Sequence, residues 1–173
     1  MDAMRLFFAL VPDDVLRSSL GALARELATL VGGRAVPAHN VHLTLAFIGE
    51  VAEPRAAALR AILESLPTVA FDLVLERVGE WQHAGVAWTA PAIVPPALTS
   101  LREALDAALR SEAFPVESRP FRPHVTLVRR RRLALADAAT APLAWRVDRV
   151  VLMRSESVTG AIRYCEEAAL TLG

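Results

Sequence analysis

An α+β fold, with mostly antiparallel strands and helices over the outer sheet faces, is what three features of the sequence predict. Strand-like and helix-like periods alternate along the chain, with no low-complexity tract or interdomain linker between them. The phrase His42-Leu43-Thr44-Leu45 returns as His124-Val125-Thr126-Leu127, 82 residues later in a chain of 173, so each of two similar lobes would carry one copy. Hydrophobic residues make up 54% of the chain, enough to bury a sizeable core. The expectation is one domain over residues 1–173, two lobes whose sheets face each other across a central cleft.

Residues 5–10 read as an apolar first strand, closed by Val11-Pro12. Asp13 and Asp14 open a helix to about residue 30, with Leu16, Leu20, Leu23, Leu27 and Leu30 at helical spacing and Gly32-Gly33 at its end. Val36-Pro37 is a break, and residues 41–48 form the first motif strand. Glu53-Pro54 starts a second helix striped by Ala58, Ile62 and Leu66. Residues 71–78 and 86–89 alternate like a hairpin around Gln82-His83-Ala84-Gly85. Pro95-Pro96 begins a third helix carrying Leu98, Leu101, Leu105 and Leu109. Residues 119–128 hold the second motif strand, and residues 134–141, rich in small side chains, read as a connection. Residues 145–153 and 164–172 read as two final strands around a turn at Gly160.

The formal net charge is zero, which argues against a general nucleic-acid coat protein, although Arg129-Arg130-Arg131-Arg132 makes a local basic run. All 19 basic residues are Arg, which reads as genomic composition bias. The single Cys165 excludes an internal disulfide and a cysteine-based metal site, and it fits a reducing compartment. Residues 1–12 lack the pattern of a signal peptide, and no stretch approaches the roughly 18 apolar residues that cross a bilayer. A cytoplasmic protein with no membrane partner is expected.

Residues i and i+2 of a strand share a face. His42, Thr44 and Ala46 should therefore point one way, with Leu43, Leu45 and Phe47 turned the other way. In the second copy Arg122, His124 and Thr126 share a face, opposite Val125 and Leu127. Four His and nine Thr predict about 0.2 chance occurrences of His-x-Thr, against two observed. Two imidazoles, one neutral and one protonated, can divide acid and base work near neutral pH. The Thr hydroxyls can donate to the non-bridging oxygens of a phosphate. Such a site needs no metal or other cofactor. His42 and His124 could instead be metal ligands, but neither motif holds a third His or a carboxylate at ligand spacing.

These motifs resemble those of the 2H phosphoesterase superfamily, and within it the bacterial RNA 2′,3′-cyclic phosphodiesterases, historically called 2′-5′ RNA ligases. The resemblance covers nearly the whole chain. It runs through Arg5-Leu6-Phe7-Phe8-Ala9-Leu10 and Asn40-Val41-His42-Leu43-Thr44-Leu45-Ala46-Phe47-Ile48-Gly49-Glu50, then Pro120-Phe121-Arg122-Pro123-His124-Val125-Thr126-Leu127-Val128-Arg129 and Leu152-Met153-Arg154-Ser155. It implies a bilobal fold and metal-independent hydrolysis of 2′,3′-cyclic phosphates at RNA or oligonucleotide ends, tRNA fragments included, to 2′-phosphates by a monomer. His42 is then the proton donor, His124 the proton acceptor, and Thr44 and Thr126 the phosphate ligands. The residues alone do not distinguish the two His roles. Joining RNA ends by the reverse reaction, and non-catalytic binding of RNA ends, are the alternative functions.

Arg129 matches the family's His-x-Thr-x-x-Arg pattern and is a candidate phosphate contact. Its parity is opposite to that of His124, so contact requires the strand to end or bend near Val128. Phe7 is the candidate to stack a terminal base. Arg130, Arg131 and Arg132 read as a solvated run with a minor part in attracting RNA. His39 and His83 read as loop residues, and Trp81, Trp88 and Trp145 as core or sheet-face residues.

Overall fold

In the computed structural model, which describes residues 3–173, the chain runs β1 (Ala3–Leu10), α1 (Asp14–Val31), β2 (Arg34–Ala35), a 3-10 turn (Ala38–Asn40), β3 (Leu43–Ala52) and α2 (Glu53–Ser65). It continues with β4 (Phe71–Trp81), β5 (Val86–Ala90), α3 (Pro96–Ser111), β6 (Val125–Arg129), β7 (Ala138–Val147), β8 (Arg149–Val158) and β9 (Ala161–Thr171). Asp13 caps α1 by accepting from the Leu16 N–H at 2.8 Å, and Pro54 and Pro96 sit in the first turns of α2 and α3, where no donor is lost.

The strands are ordered β7-β4-β5-β6-β3-β1-β8-β9, with β2 added to β6, and every pairing is antiparallel. One joint is different from the rest. Between β3 and β6 the ladder is a single pair, Leu43 opposite Val125. The two sides of the sheet, β3-β1-β8-β9 and β6-β5-β4-β7, therefore meet at the residues that directly follow His42 and His124.

The helices cross over between these sides. The helix α1 packs on β6, β2 and β7, whereas α2 packs on β3, β8 and β9, and α3 lies against α2 and β3. One large core results. On β1, Leu6, Phe8 and Leu10 enter it, while Phe7 and Ala9 face the other way and join Val151 and Met153 in a small second cluster. The α3 stripe is buried as its spacing predicts, at Leu98, Leu101, Leu105 and Leu109. In α1 the buried line is Leu16, Leu20, Ala24, Leu27 and Val31, and Leu30 is left exposed because the 3.6-residue period carries the stripe one position further.

Several expectations are corrected. The second motif strand is only Val125–Arg129, since Pro120 and Pro123 cannot donate to a ladder and the chain before Val125 stays irregular. Residues 145–153 are not one strand: β7 ends at Val147, the chain turns at Asp148, and β8 begins on the other side of the sheet. Residues 134–141 are in part strand, because β7 starts at Ala138 and pairs with β4. Strict alternation also fails in β3. Ala9 faces Thr44 and Phe8 faces Ala46, so Leu45 is a bulged extra residue; a second shift follows at Ile48. Ala46 thereby joins the core, and Phe47 is 55% exposed instead of sharing the buried face of Leu43 and Leu45.

Candidate active site

The second motif repeats the bulge. Trp88 faces Thr126 and Ala87 faces Val128, which leaves Leu127 as the extra residue. The carbonyl of each bulged residue has a donor. The Leu127 oxygen accepts from the Val36 N–H at 2.8 Å, and the Leu45 oxygen accepts from Arg102 Nη1 at 2.7 Å. The bulge also settles the parity of Arg129: one extra residue between Thr126 and Arg129 returns the Arg side chain to the His124 face.

His42, Thr44, His124, Thr126 and Arg129 consequently line one cavity of about 350 Å³. His42 Nδ1 lies 2.7 Å from the Asn40 carbonyl oxygen, and His124 Nδ1 lies 2.8 Å from that of Arg122. A carbonyl only accepts, so each Nδ1 carries the hydrogen and each neutral ring keeps Nε2 as the working nitrogen. His42 Nε2 stands 3.1 Å from Thr44 Oγ1. Burial pushes His42 down to about 4 against the partial support of the Asn40 carbonyl, with the charges of Arg129 and His124 acting in the same direction as burial. His124 is lowered by burial too, with the Arg122 carbonyl opposing and Arg129 adding to it. Both imidazoles are thus neutral in the free site at pH 7.

Aromatic side chains hold the two rings. Phe7 lies 5.0 Å from the His42 ring and Tyr164 lies 4.9 Å from it at 82°, edge to face. Trp81 meets His124 at 4.2 Å and 74°, and Trp81 in turn leans on Trp88 at 5.8 Å. Asn40 fixes the first motif from behind: its Nδ2 donates to the Ile162 carbonyl at 2.8 Å and its Oδ1 accepts from the Tyr164 N–H at 3.3 Å. The turn before His42 is so tied to β9, which supplies a wall of the cavity.

One expected site residue is placed differently. Phe7 is 3% exposed beneath His42, so neither of its faces is open to a base; its role is to pack the imidazole. Asn40, Tyr164 and Arg34 also line the cavity, and Trp81 packs on His124 from outside it; no motif in the sequence marks these four. Trp81 and Tyr164 lie on strands that bring them against the His124 and His42 rings, a relation set by pairing and not by spacing in the chain. Asn40 carried a weak signal, a polar residue two positions before His42. His39 and His83 lie outside that cavity, and among the described residues no three His, Cys, Asp or Glu side chains are grouped to hold a metal ion.

Comparison with known proteins places this geometry among relatives. Residues 12–159 match the family described as the 2′-5′ RNA ligase superfamily. The chain is similar to the RNA 2′,3′-cyclic phosphodiesterase of Escherichia coli (strain K12), 32% identical over 170 residues, which are 94% of this chain and 93% of that one. It is similar to the protein of the same name from Thermus thermophilus, 32% identical over 167 residues, which are 88% of this chain and 82% of that one. The crystal structure of E. coli LigT complexed with 3′-AMP superposes with a TM-score of 0.90 at 28% identity, covering 99% of both chains.

Proposed function

Because the chain belongs to the 2′-5′ RNA ligase superfamily, we propose that it hydrolyses 2′,3′-cyclic phosphates at RNA ends to 2′-phosphomonoesters, with His42 as proton donor and His124 as proton acceptor. The observation that carries this reading is the presentation of two Nε2 atoms to one cavity whose charged side chains, among the described residues, are all Arg.

In the reaction, His124 Nε2 takes a proton from a water molecule that attacks phosphorus in line with the bond to the 3′ oxygen. That bond breaks, and the leaving 3′ oxygen takes its proton from His42 Nε2. The product keeps the phosphate on the 2′ oxygen and gains a free 3′ hydroxyl. Thr44, Thr126 and Arg129 hold the non-bridging oxygens, where negative charge gathers. His42 is neutral in the free cavity, so the incoming phosphate supplies the counter-charge that makes it an imidazolium able to donate. Family resemblance supports the direction of the assignment; the geometry alone is nearly symmetric.

The substrates we propose are RNA fragments, cleaved tRNA included, acted on by a monomer in the cytoplasm; no helix among the described residues is long and apolar enough to cross a membrane. The test is incubation with a short RNA ending in a 2′,3′-cyclic phosphate, with the product identified by phosphorus NMR. A 2′-phosphate is expected, formed equally well in EDTA. His42→Ala and His124→Ala should each lower turnover by about 10²-fold or more. A 3′-phosphate product, or near wild-type activity in either variant, refutes the assignment.

A further inference from the structure

Of the four consecutive arginines, Arg129, Arg130 and Arg132 are exposed, and Arg131 is the exception. Arg131 turns inward and ion-pairs with Glu80 at 2.9 Å, both side chains being largely covered. Arg132 lays its aliphatic stem against Gly32. Arg129 and Arg130 line the catalytic cavity, and so does Arg34, which stands directly across from Arg129 in the β2–β6 pair.

This corner is assembled against two local preferences, and a glycine makes its close approach possible. Arg34 and Arg129 are like charges placed directly opposite in an antiparallel pair, an arrangement that is repulsive unless something lies between them. Arg130 is held at φ 53°, a left-handed conformation that an arginine seldom adopts. Gly33, at φ 102°, comes so close that a Cβ there would lie 2.7 Å from the Arg129 carbonyl oxygen and 2.8 Å from that of Arg130. Among the described residues none of the three arginines has an ion-pair partner, and no carboxylate lines the cavity. A concentration of cations on one side of a cavity makes a local field that favours an anion. The reacting phosphate is already surrounded by the two His, the two Thr and Arg129, which leaves Arg34 and Arg130 beyond its needs.

On the footing that the cavity opens cyclic phosphates, we propose that Arg34 and Arg130 form a second anion subsite that holds the phosphate ester on the 5′ oxygen of the terminal nucleotide. The protein then selects oligonucleotide ends over mononucleoside cyclic phosphates because two phosphates, and not one, are read at once. Arg129, at the junction, is shared by both.

The experiment compares kcat/KM on adenosine 2′,3′-cyclic phosphate, on the same compound carrying a 5′-phosphate, and on a dinucleotide ending in a 2′,3′-cyclic phosphate. The variants are Arg130→Gly, which relaxes the left-handed position, and Arg34→Gln. Wild type should prefer both substrates that carry the second phosphate. Each variant should lower that preference by about tenfold, the size of one charge-assisted contact, and flatten the salt dependence on the dinucleotide. The 5′-phosphorylated arm tells a subsite for any 5′-phosphate from one that needs an internal diester. Preference unchanged within twofold in both variants overturns the inference alone. Wild type inactive on all three substrates overturns the phosphodiesterase reading and the inference with it.

Discussion

Replacing Arg102 with methionine should lower the unfolding free energy by about 3 kcal/mol. Arg102 lies on α3 and is 7% exposed, the one charged residue buried among the described residues. Its Nη1 donates to the Leu45 carbonyl at 2.7 Å, its Nε donates to Asp106 Oδ1 at 2.7 Å, and its guanidinium lies 4.8 Å from the Phe121 ring. The Leu45 carbonyl belongs to the first bulged residue, and leaving it buried and unpaired costs about 1–3 kcal/mol. The cation–π contact adds about 0.5–2 kcal/mol. Asp106 loses an (i, i+4) partner but keeps some contact with water, so its share is small. Methionine preserves most of the stem packing, which restricts the loss to the polar terms. A domain of this size is commonly stable by about 5–15 kcal/mol, so the variant should fold with a clearly lower urea midpoint and an unchanged m value. Turnover should fall as well, since Leu45 follows Thr44 and Phe121 lies just ahead of His124. A change below about 0.5 kcal/mol would show that the bulge carbonyl finds another donor and that the reasoning from buried polar satisfaction fails here.

Stability should also fall as pH drops from about 6.5 towards 4, because the unfolded His42 takes up its proton near 6.5 while the folded one waits until about 4. Between those values the unfolded chain binds more protons, so the contribution is whole above 6.5 and gone below 4; a His42→Phe variant with the same pH slope as wild type would refute it. Asn40→Leu should cost about 1–3 kcal/mol and lower kcat more than it raises KM, because the buried amide bridges the turn before His42 to the Ile162 and Tyr164 backbone; chemical denaturation and steady-state kinetics check both halves. Gly79→Ala should impair turnover without touching the site directly. A Cβ there would lie 2.5 Å from the Trp88 ring, and Trp88 must move with Trp81, which packs on His124. Full activity in that variant would mean the tryptophans do not position the imidazole.

What could be read in advance was whatever depends on spacing along one segment. The four leucines of α3, the Asp13 cap and the two His-x-Thr copies are of this kind, since helix and strand periods are local. What could not be read depends on a second segment. A bulge is a mismatch between two strands, so neither Leu45 nor Leu127 announces it, yet it sends Ala46 into the core and Arg129 to the cavity. Phe7 illustrates the same limit: it lies on the His42 side of β1, but the imidazole that covers it arrives on another strand. The single Leu43–Val125 bridge, the exchange of α1 to the opposite side and the break at Asp148 are all consequences of packing that no window of sequence contains.

The pairing of β1 has a consequence for how the chain is made. Its residues 5–10 lie between β3 and β8, so one edge is closed early, and the other waits for a partner about 145 residues downstream. At roughly 5–20 residues per second on the ribosome, that edge stays open for about 7–29 s. Throughout this interval Leu6, Phe8 and Leu10 sit on a strand with unpaired amides, the kind of surface that recruits other nascent chains. The same delay withholds Tyr164 and the Ile162 carbonyl from Asn40, so the His42 side of the cavity is completed only when the last hairpin has emerged. An unfinished chain is therefore both sticky and inactive, and the two conditions end together with the docking of the β8–β9 hairpin.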